Sequence, residues 1–414
     1  MLEQIEGSLG VAKAVALCRP GVVCAYPISP QTHIVENVGK FVKNGTLKDC
    51  DFLNVESEFS AISVAIGSEV GGARTYTATA SQGLLYMTEG VYSASGLGLP
   101  IVMTVASRAI GGPINIWNDH SDSLSQRDSG WLQLFCESNQ DAVDTHIMAF
   151  KIAEEVGLPV MVCMDGFVLT HAFERLDIPS QETVDKFLPE YQPREYLTPK
   201  EPVSIGAMVG PEAFTEVRFL QQRKMAKALK VIEKVTKEYR DLTGSKSGGL
   251  LDCYNCENAD LKLVIMGSTV GTAKDEIDRL KSEGINVGII SLKSFRPFPY
   301  EAMAKAIGDT KKVICLERAF SFGARGIVCP EVKRAMEGKN CDVKTVVAGL
   351  GGRPIFGTTI RGIVKDALAD KFTEEFTWFD VNADVLNSYT DKTEGVTFKN
   401  GPIAHSVLEN SVKD

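Results

Sequence analysis

Five times before residue 166 the chain runs through a short stretch of apolar or β-branched residues that ends in turn chemistry: VVCAYPI, DFLNV, TYTAT, PIVMTVA and PVMVCMD. Each is too short for a helix and has no strict in–out alternation, as in strands buried on both faces of a parallel sheet. Between them lie EFSAISVAIGSEVGGA, GLLYMTEGVYSASG and QDAVDTHIMAFKIAEEVG, with apolar residues three and four apart and glycine near their ends. Strand–helix–strand repetition confines this part to an α/β fold with a doubly wound parallel sheet.

The same pattern returns in LKLVIMGSTVG, NVGIISL, KKVICLE and VKTVVAGLGG. With 414 residues, more than one core is expected. The reading divides the chain into residues 1–176, a connecting region 177–259, a smaller α/β domain 260–371 and a tail 372–414. The connecting region holds the proline-rich LPEYQPREYLTPKEPV and a long helix near Pro211 to Leu242. On that helix Phe214, Val217, Met225, Ala228, Ile232, Val235 and Tyr239 form one apolar stripe. Its charge run, RKMAKALKVIEKVTKEYRD, mixes signs and reads as a solvated face. The aromatic tail is expected to pack along a neighbour or partner.

A formal charge of −9 and a pI near 5.3 argue against a general nucleic-acid binder. Acids and Arg19-Pro20 interrupt the N-terminal apolar stretch, so neither a signal peptide nor a membrane span is expected, and the placement is cytoplasmic. Ten scattered cysteines, most in apolar surroundings, are expected as free thiols. Only Cys253 and Cys256 have metal-ligand spacing; lacking a second pair, they read as a loop with two unpaired thiols, and no metal is assigned to this chain.

Open α/β sheets bind ligands outside the carboxyl ends of their strands. That rule selects YPISPQT, NVESE, TATASQG and ASRAIGGPINIWNDHSD. GSTVGT and GLGGR match neither nucleotide fingerprint, and neither a G-x-S-x-G elbow nor H-E-x-x-H is present. The selected loops offer a carboxylate in apolar surroundings (Glu58), a hydroxyl (Ser29), a cation suited to clamping a carboxylate (Arg108) and the acid-rich NDHSD. Glu58 reads either as a helix-capping acid or as a proton handler; Glu56 reads as structural.

AYPISPQTHIVE, NVESE, ASQG, RAIGGPINIWNDHSDS, PVMVCMDGFVLTH and RPFP, in that order, resemble the α subunit of pyruvate:ferredoxin and related 2-oxoacid:ferredoxin oxidoreductases. The resemblance runs to about residue 370. It implies a thiamine diphosphate pyrimidine-binding domain followed by a transketolase C-terminal-like domain. It further implies a β subunit that holds the diphosphate and Mg²⁺, with γ and ferredoxin-like δ subunits that supply [4Fe-4S] clusters and part of the coenzyme A machinery.

Residue by residue, the resemblance makes Glu58 the partner of the pyrimidine N1′, Arg108 the partner of the substrate carboxylate, and Ser29 a substrate-facing hydroxyl. It puts Pro27, Ser81, Gln82 and Gly83 beside the cofactor, and Asn115, Asp119, His120 and Asp122 in an active-site loop. Pyruvate enzymes generally carry threonine where Ser29 stands, so the substrate expectation is pyruvate, with a bulkier or aryl 2-oxoacid such as phenylglyoxylate as the competing choice. The sequence also leaves room for NAD as final acceptor and for a nonenzymatic assembly role.

Overall fold

The computed structural model describes residues 2–385. In chain order the strands are β1 (Leu2–Glu6), β2 (Val22–Ala25), β3 (Asp51–Asn54), β4 (Thr75–Thr79), β5 (Val102–Ser107), β6 (Leu132–Phe135), β7 (Val160–Asp165) and β8 (Phe173–Asp177). They continue as β9 (Leu251–Tyr254), β10 (Leu261–Ile265), β11 (Val287–Leu292), β12 (Ser294–Arg296), β13 (Lys312–Glu317), β14 (Asp342–Val347) and β15 (Phe376–Trp378). The fold is α/β, with two mainly parallel sheets and helices on their faces.

The first sheet has the order β12-β6-β7-β5-β4-β2-β3 and is parallel except for β12, which runs antiparallel to β6. The second has the order β15-β14-β13-β10-β11-β9, with β9 antiparallel at its edge. An antiparallel ribbon, β1 with β8, flanks the first sheet. All nine strand runs recognised in the sequence form strands. The ones it missed are short or charged: β1 and β8 read LEQIE and FERLD, and β6 has four residues between a long loop and a helix.

Helix ends follow local chemistry. Ser57 caps Glu58–Val70 by accepting the Ser60 N–H at 3.1 Å, and Ser138 does the same for Asn139–Val156 with the Asp141 N–H at 3.1 Å. Glu56 accepts a hydrogen bond from the Ser60 hydroxyl at that same helix start, which fits its structural reading.

The helix expected near Pro211 to Leu242 spans Phe214–Thr243. Its stripe is buried only in part. Ala228, Ile232, Val235 and Tyr239 enter the core, with Met225 packed against it, but Phe214 and Val217 are 50 % and 37 % exposed. Helical periodicity identifies a face; it does not say whether a neighbour reaches the whole of it. Of the tail, Phe376–Trp378 adds the parallel edge strand β15 to the second sheet; residues 386–414 lie outside the described residues.

The two sheets share one apolar core. Trp131, Phe135, Leu84 and Met87 of the first unit pack in the same cluster as Ile290, Phe295, Phe298 and Met303. Phe295, on β12, is fully buried and meets Phe135 edge-on at 6.5 Å and Phe298 at 6.2 Å. Truncating it leaves a cavity where the units join, so Phe295→Ala is expected to cost about 3–5 kcal/mol and to lower the midpoint of thermal unfolding by several degrees. A midpoint within a degree of the parent would contradict this packing.

Candidate active site

The first sheet reverses its winding at β2. The chain passes from β2 to β3 on one side and returns to place β4 on the other. Ligands of such sheets bind where neighbouring connections diverge. Here the strands themselves also part: β2 pairs with β4 only at Val22 and Val23, whereas its pairing with β3 extends to Ala25. Gln31 fills the gap. Its amide donates to the Ala78 carbonyl at 2.6 Å while its Oε1 accepts the Ile28 N–H at 3.3 Å, which folds the Tyr26–Gln31 loop against β4. Sequence reading did not single out this residue.

Glu58 opens the helix that follows β3. It is only 8 % exposed, and among the described residues its carboxylate has no hydrogen bond or ion pair. A buried acid normally has such a partner, since desolvating an unpaired charge is costly. The helix N-terminus offsets part of that cost. The opposing wall is Gly83, where a Cβ would meet Glu58 Oε1 at 2.7 Å and Thr79 Oγ1 at 2.5 Å, so only glycine leaves the carboxylate its space. Thr79 Oγ1 is itself buried without a partner among the described residues.

Asp122 fixes the spacing of the next two loops. Its Oδ2 accepts the N–H groups of Ser81, after β4, at 2.8 Å and Arg108, after β5, at 2.9 Å, and its Oδ1 accepts the Ser123 N–H at 2.6 Å. Burial pushes its carboxyl up to about 6, against the pull of these three donors. The Ser81 hydroxyl donates to the Ala109 carbonyl at 2.5 Å and bonds to Gln82. The Gln82 amide lies where a side chain on Gly111 would sit.

Arg108 is buried, and burial lowers its pKa from the usual guanidinium value. Its Nη1 donates to the Ser29 carbonyl at 2.8 Å and its Nε to the Asn115 carbonyl at 3.1 Å. Among the described residues Nη2 makes no hydrogen bond. Ser29 and Pro27 lie on the β2 loop, where both are exposed. Strand ends and Arg108 thus bring Pro27, Ser29, Glu58, Ser81, Gln82, Gly83 and Arg108 to one end of the sheet.

The loop Asn115–Asp122 faces two ways. Asn115 donates to the Gly351 carbonyl at 3.1 Å, and Asp119 accepts the Gly351 N–H at 3.0 Å while bonding Ser121. His120 Nε2 lies 2.8 Å from Asp165 Oδ1, at the end of β7. Asp165 also accepts from Arg318 Nη1 at 2.8 Å and from the Ser268 N–H at 2.9 Å. Burial works against the Asp165 charge, but Arg318 and His120 outweigh it and hold the carboxyl well below its usual range. These side chains therefore join the loop to the second unit, and Asp165 and Arg318, unremarked in the sequence, complete the joint. Cys253 lies on β9, not in a loop, and a hydrogen bond from Cys256 pulls its thiol down to about 7.

Residues 13–237 match the family model described as pyruvate flavodoxin/ferredoxin oxidoreductase, thiamine diphosphate-binding, and residues 259–360 match pyruvate:ferredoxin oxidoreductase core domain II. The chain belongs to the pyruvate flavodoxin/ferredoxin oxidoreductase family. It is 46 % identical over 365 residues to pyruvate synthase subunit PorA of Methanocaldococcus jannaschii, covering 87 % of this chain and 93 % of that one. Against the PorA subunit of Methanosarcina barkeri the identity is 44 % over 367 residues, covering 87 % and 91 %. Ketoisovalerate oxidoreductase subunit VorA of Pyrococcus horikoshii is 38 % identical over 382 residues, covering 91 % and 97 %. The 2-oxoglutarate:ferredoxin oxidoreductase of Magnetococcus marinus shares the fold at a TM-score of 0.66 and 21 % identity, over 89 % of this chain and 65 % of that one.

In this family member Asp122 carries a pH signature. Its folded pKa lies above the unfolded value of about 3.9, so the folded state binds the proton more tightly. Its contribution is full below about pH 4 and falls as pH rises to about 6, by roughly 2–3 kcal/mol. The stability advantage of the parent over Asp122→Asn, followed by urea unfolding, is expected to shrink across that window. An advantage that widens with pH would contradict the assignment.

Proposed function

We propose that this chain holds the aminopyrimidine half of thiamine diphosphate in an enzyme that converts pyruvate and coenzyme A to acetyl-coenzyme A and carbon dioxide. One proton and two electrons are released per turnover, and the electrons pass singly to ferredoxin. The observation that carries the reading is Glu58, a buried carboxylate without a partner among the described residues, facing Gly83 at the sheet's switch point. Such a carboxylate fits a ring nitrogen that must gain and lose a proton. Thiamine diphosphate, when bound, supplies the carbanion chemistry that lets a 2-oxoacid lose carbon dioxide.

The chain's own residues do the rest. Glu58 holds and returns a proton at N1′. Pro27, Ser81, Gln82 and Gly83 line the ring's place, and the Ser81–Asp122 bond keeps the Ala80–Gly83 turn from drifting toward β5. Arg108 keeps its Nη2 for the substrate carboxylate while its other two bonds pin the Ser29 and Asn115 carbonyls. The Ser29 hydroxyl faces the substrate.

Tyr26, Phe59, Tyr86, Ile114, Ile116 and Trp117 are exposed on the loops and helices that follow the strand ends. An apolar rim of this kind fits a partner subunit closing over the site. We assign that place to a β subunit holding the diphosphate and Mg²⁺, with γ and δ subunits carrying the coenzyme A machinery and the [4Fe-4S] clusters. Among the described residues no helix is long and apolar enough to cross a membrane, and the ten cysteines are free, which supports a cytoplasmic placement. Pyruvate is favoured because the relatives at 44 and 46 % identity are pyruvate synthase subunits, whereas the ketoisovalerate subunit stands at 38 %. An aryl substrate, an NAD-linked acceptor and a nonenzymatic role have no comparable support.

Two variants of the assembled enzyme test the assignments. Glu58→Gln keeps the shape but cannot cycle a proton, so turnover is expected to fall about 10²–10⁴-fold while the subunits still co-purify. Unchanged turnover would end the role of Glu58. Arg108→Lys loses the planar fork, and the KM for pyruvate is expected to rise about 10- to 100-fold, read in a panel with 2-ketoisovalerate, 2-oxoglutarate and phenylglyoxylate. An unchanged KM would refute the clamp.

A further inference from the structure

We propose that Glu6, His33 and His171 form a binding site for a divalent transition-metal ion of the Zn²⁺ class. In the sequence these ligands are scattered over three distant segments and have no ligand spacing. In the fold they converge: Glu6 ends β1, His33 lies in the first turn of the helix Thr32–Lys43, and His171 follows β7. One ligand atom from each lies within 4.8 Å of the other two, a grouping found nowhere else among the described residues.

The details fit ligation. His33 Nδ1 and Glu6 Oε1 are 2.7 Å apart, and the two imidazole centroids lie 4.6 Å apart. His171 Nδ1 lies 2.7 Å from the Thr170 hydroxyl, whose oxygen also accepts the Phe167 N–H at 2.8 Å. With Nδ1–H donated to Thr170, His171 presents Nε2, which has no hydrogen bond among the described residues. A hydrogen bond through the second ring nitrogen is the usual way a ligating histidine is oriented. Main-chain bonds already hold two of the ligands together: the Gly7 N–H to Ala172 O and the Ser8 N–H to Thr170 O, each at 2.9 Å.

Tetrahedral Zn²⁺ needs ligand atoms about 3.4 Å apart. The His33–Glu6 pair, at 2.7 Å, must therefore open while any longer separation closes, and His33, with a side chain 47 % exposed, has room to move and leaves the ion a path from solvent. Two imidazoles and one carboxylate favour Zn²⁺, Co²⁺ or Fe²⁺ over Mg²⁺ or Ca²⁺, with water in the open position. The consequence is mechanical. An ion here ties the start of the helix Thr32–Lys43, which follows the Ser29 loop directly, to the β1–β8 ribbon.

The test uses the full-length chain, stripped with chelator, in a Cys253→Ser/Cys256→Ser background that removes the competing thiols. Equilibrium dialysis against Zn²⁺ is expected to give one ion per chain at micromolar or tighter affinity, weakened at least tenfold in His33→Ala and in His171→Ala. Co²⁺ in the same background is expected to give the visible bands of a nitrogen- and oxygen-ligated low-coordinate ion, absent from both variants. Zn²⁺ is expected to raise the thermal midpoint of the parent by about 2–4 °C and that of the variants not at all. Metal-free midpoints of the variants matching the parent's exclude misfolding as the cause. Equal Zn²⁺ binding by parent and variants, no binding by the parent, or binding of Mg²⁺ or Ca²⁺ in preference would overturn the proposal.

Discussion

The site depends on keeping three strand-end loops at fixed separations while the strands beneath them diverge. One buried carboxylate, Asp122, does most of this by receiving the N–H groups of Ser81 and Arg108 at once. The loop after β4 is thereby tied to the loop after β5, and Arg108 extends the chain of bonds to the Ser29 carbonyl on the loop after β2. Gln31 closes the remaining gap with its bond to Ala78. Glu58 is left packed against Gly83, with no hydrogen bond or ion pair among the described residues.

The same loop bonds outward to the second unit. His120 and Arg318 converge on Asp165, and Gly267, at a φ of +73°, has no room for a side chain, since a Cβ there would lie 2.9 Å from both Asp165 Oδ2 and His120 Nε2. Three charged or ionisable groups buried together this way are stable only as a set, because removing one leaves the others desolvated and unpaired. The orientation of the second sheet against the first is thus linked to the geometry of the loop that carries Asp122. That link gives a physical reason for both units to occur in one chain.

How much of this was legible beforehand divides along physical lines. Runs buried on both faces announce themselves by composition, so β2, β4, β5, β7, β10, β11, β13 and β14 were readable; β3, an exposed edge strand and not the buried one expected, was readable as the short run DFLNV, and the strand-end rule then pointed to Ser29, Glu58, Ser81 and Arg108. Other marginal strands were not: β1 and β8 alternate with charged residues, and β12 owes its existence to pairing with β6 from another part of the chain. The acid-rich NDHSD stood out by composition, yet nothing in it said that Asp122 would grip two strand ends while His120 turned toward Asp165. Asp165 itself reads as the last residue of an apolar run. Its partner Arg318 is 153 residues away, and contacts at that range leave no local mark. The stripe on the long helix shows the converse, a legible pattern whose first turns the fold leaves uncovered.

The central claim is that Glu58 is unpartnered among the described residues because its partner is the cofactor. A structure of the assembled complex with thiamine diphosphate bound tests it most directly. The account requires the Glu58 carboxylate within about 2.6–3.2 Å of N1′, with the pyrimidine over Gly83. A pyrimidine seated elsewhere, or Glu58 paired with a residue of another subunit, would contradict it.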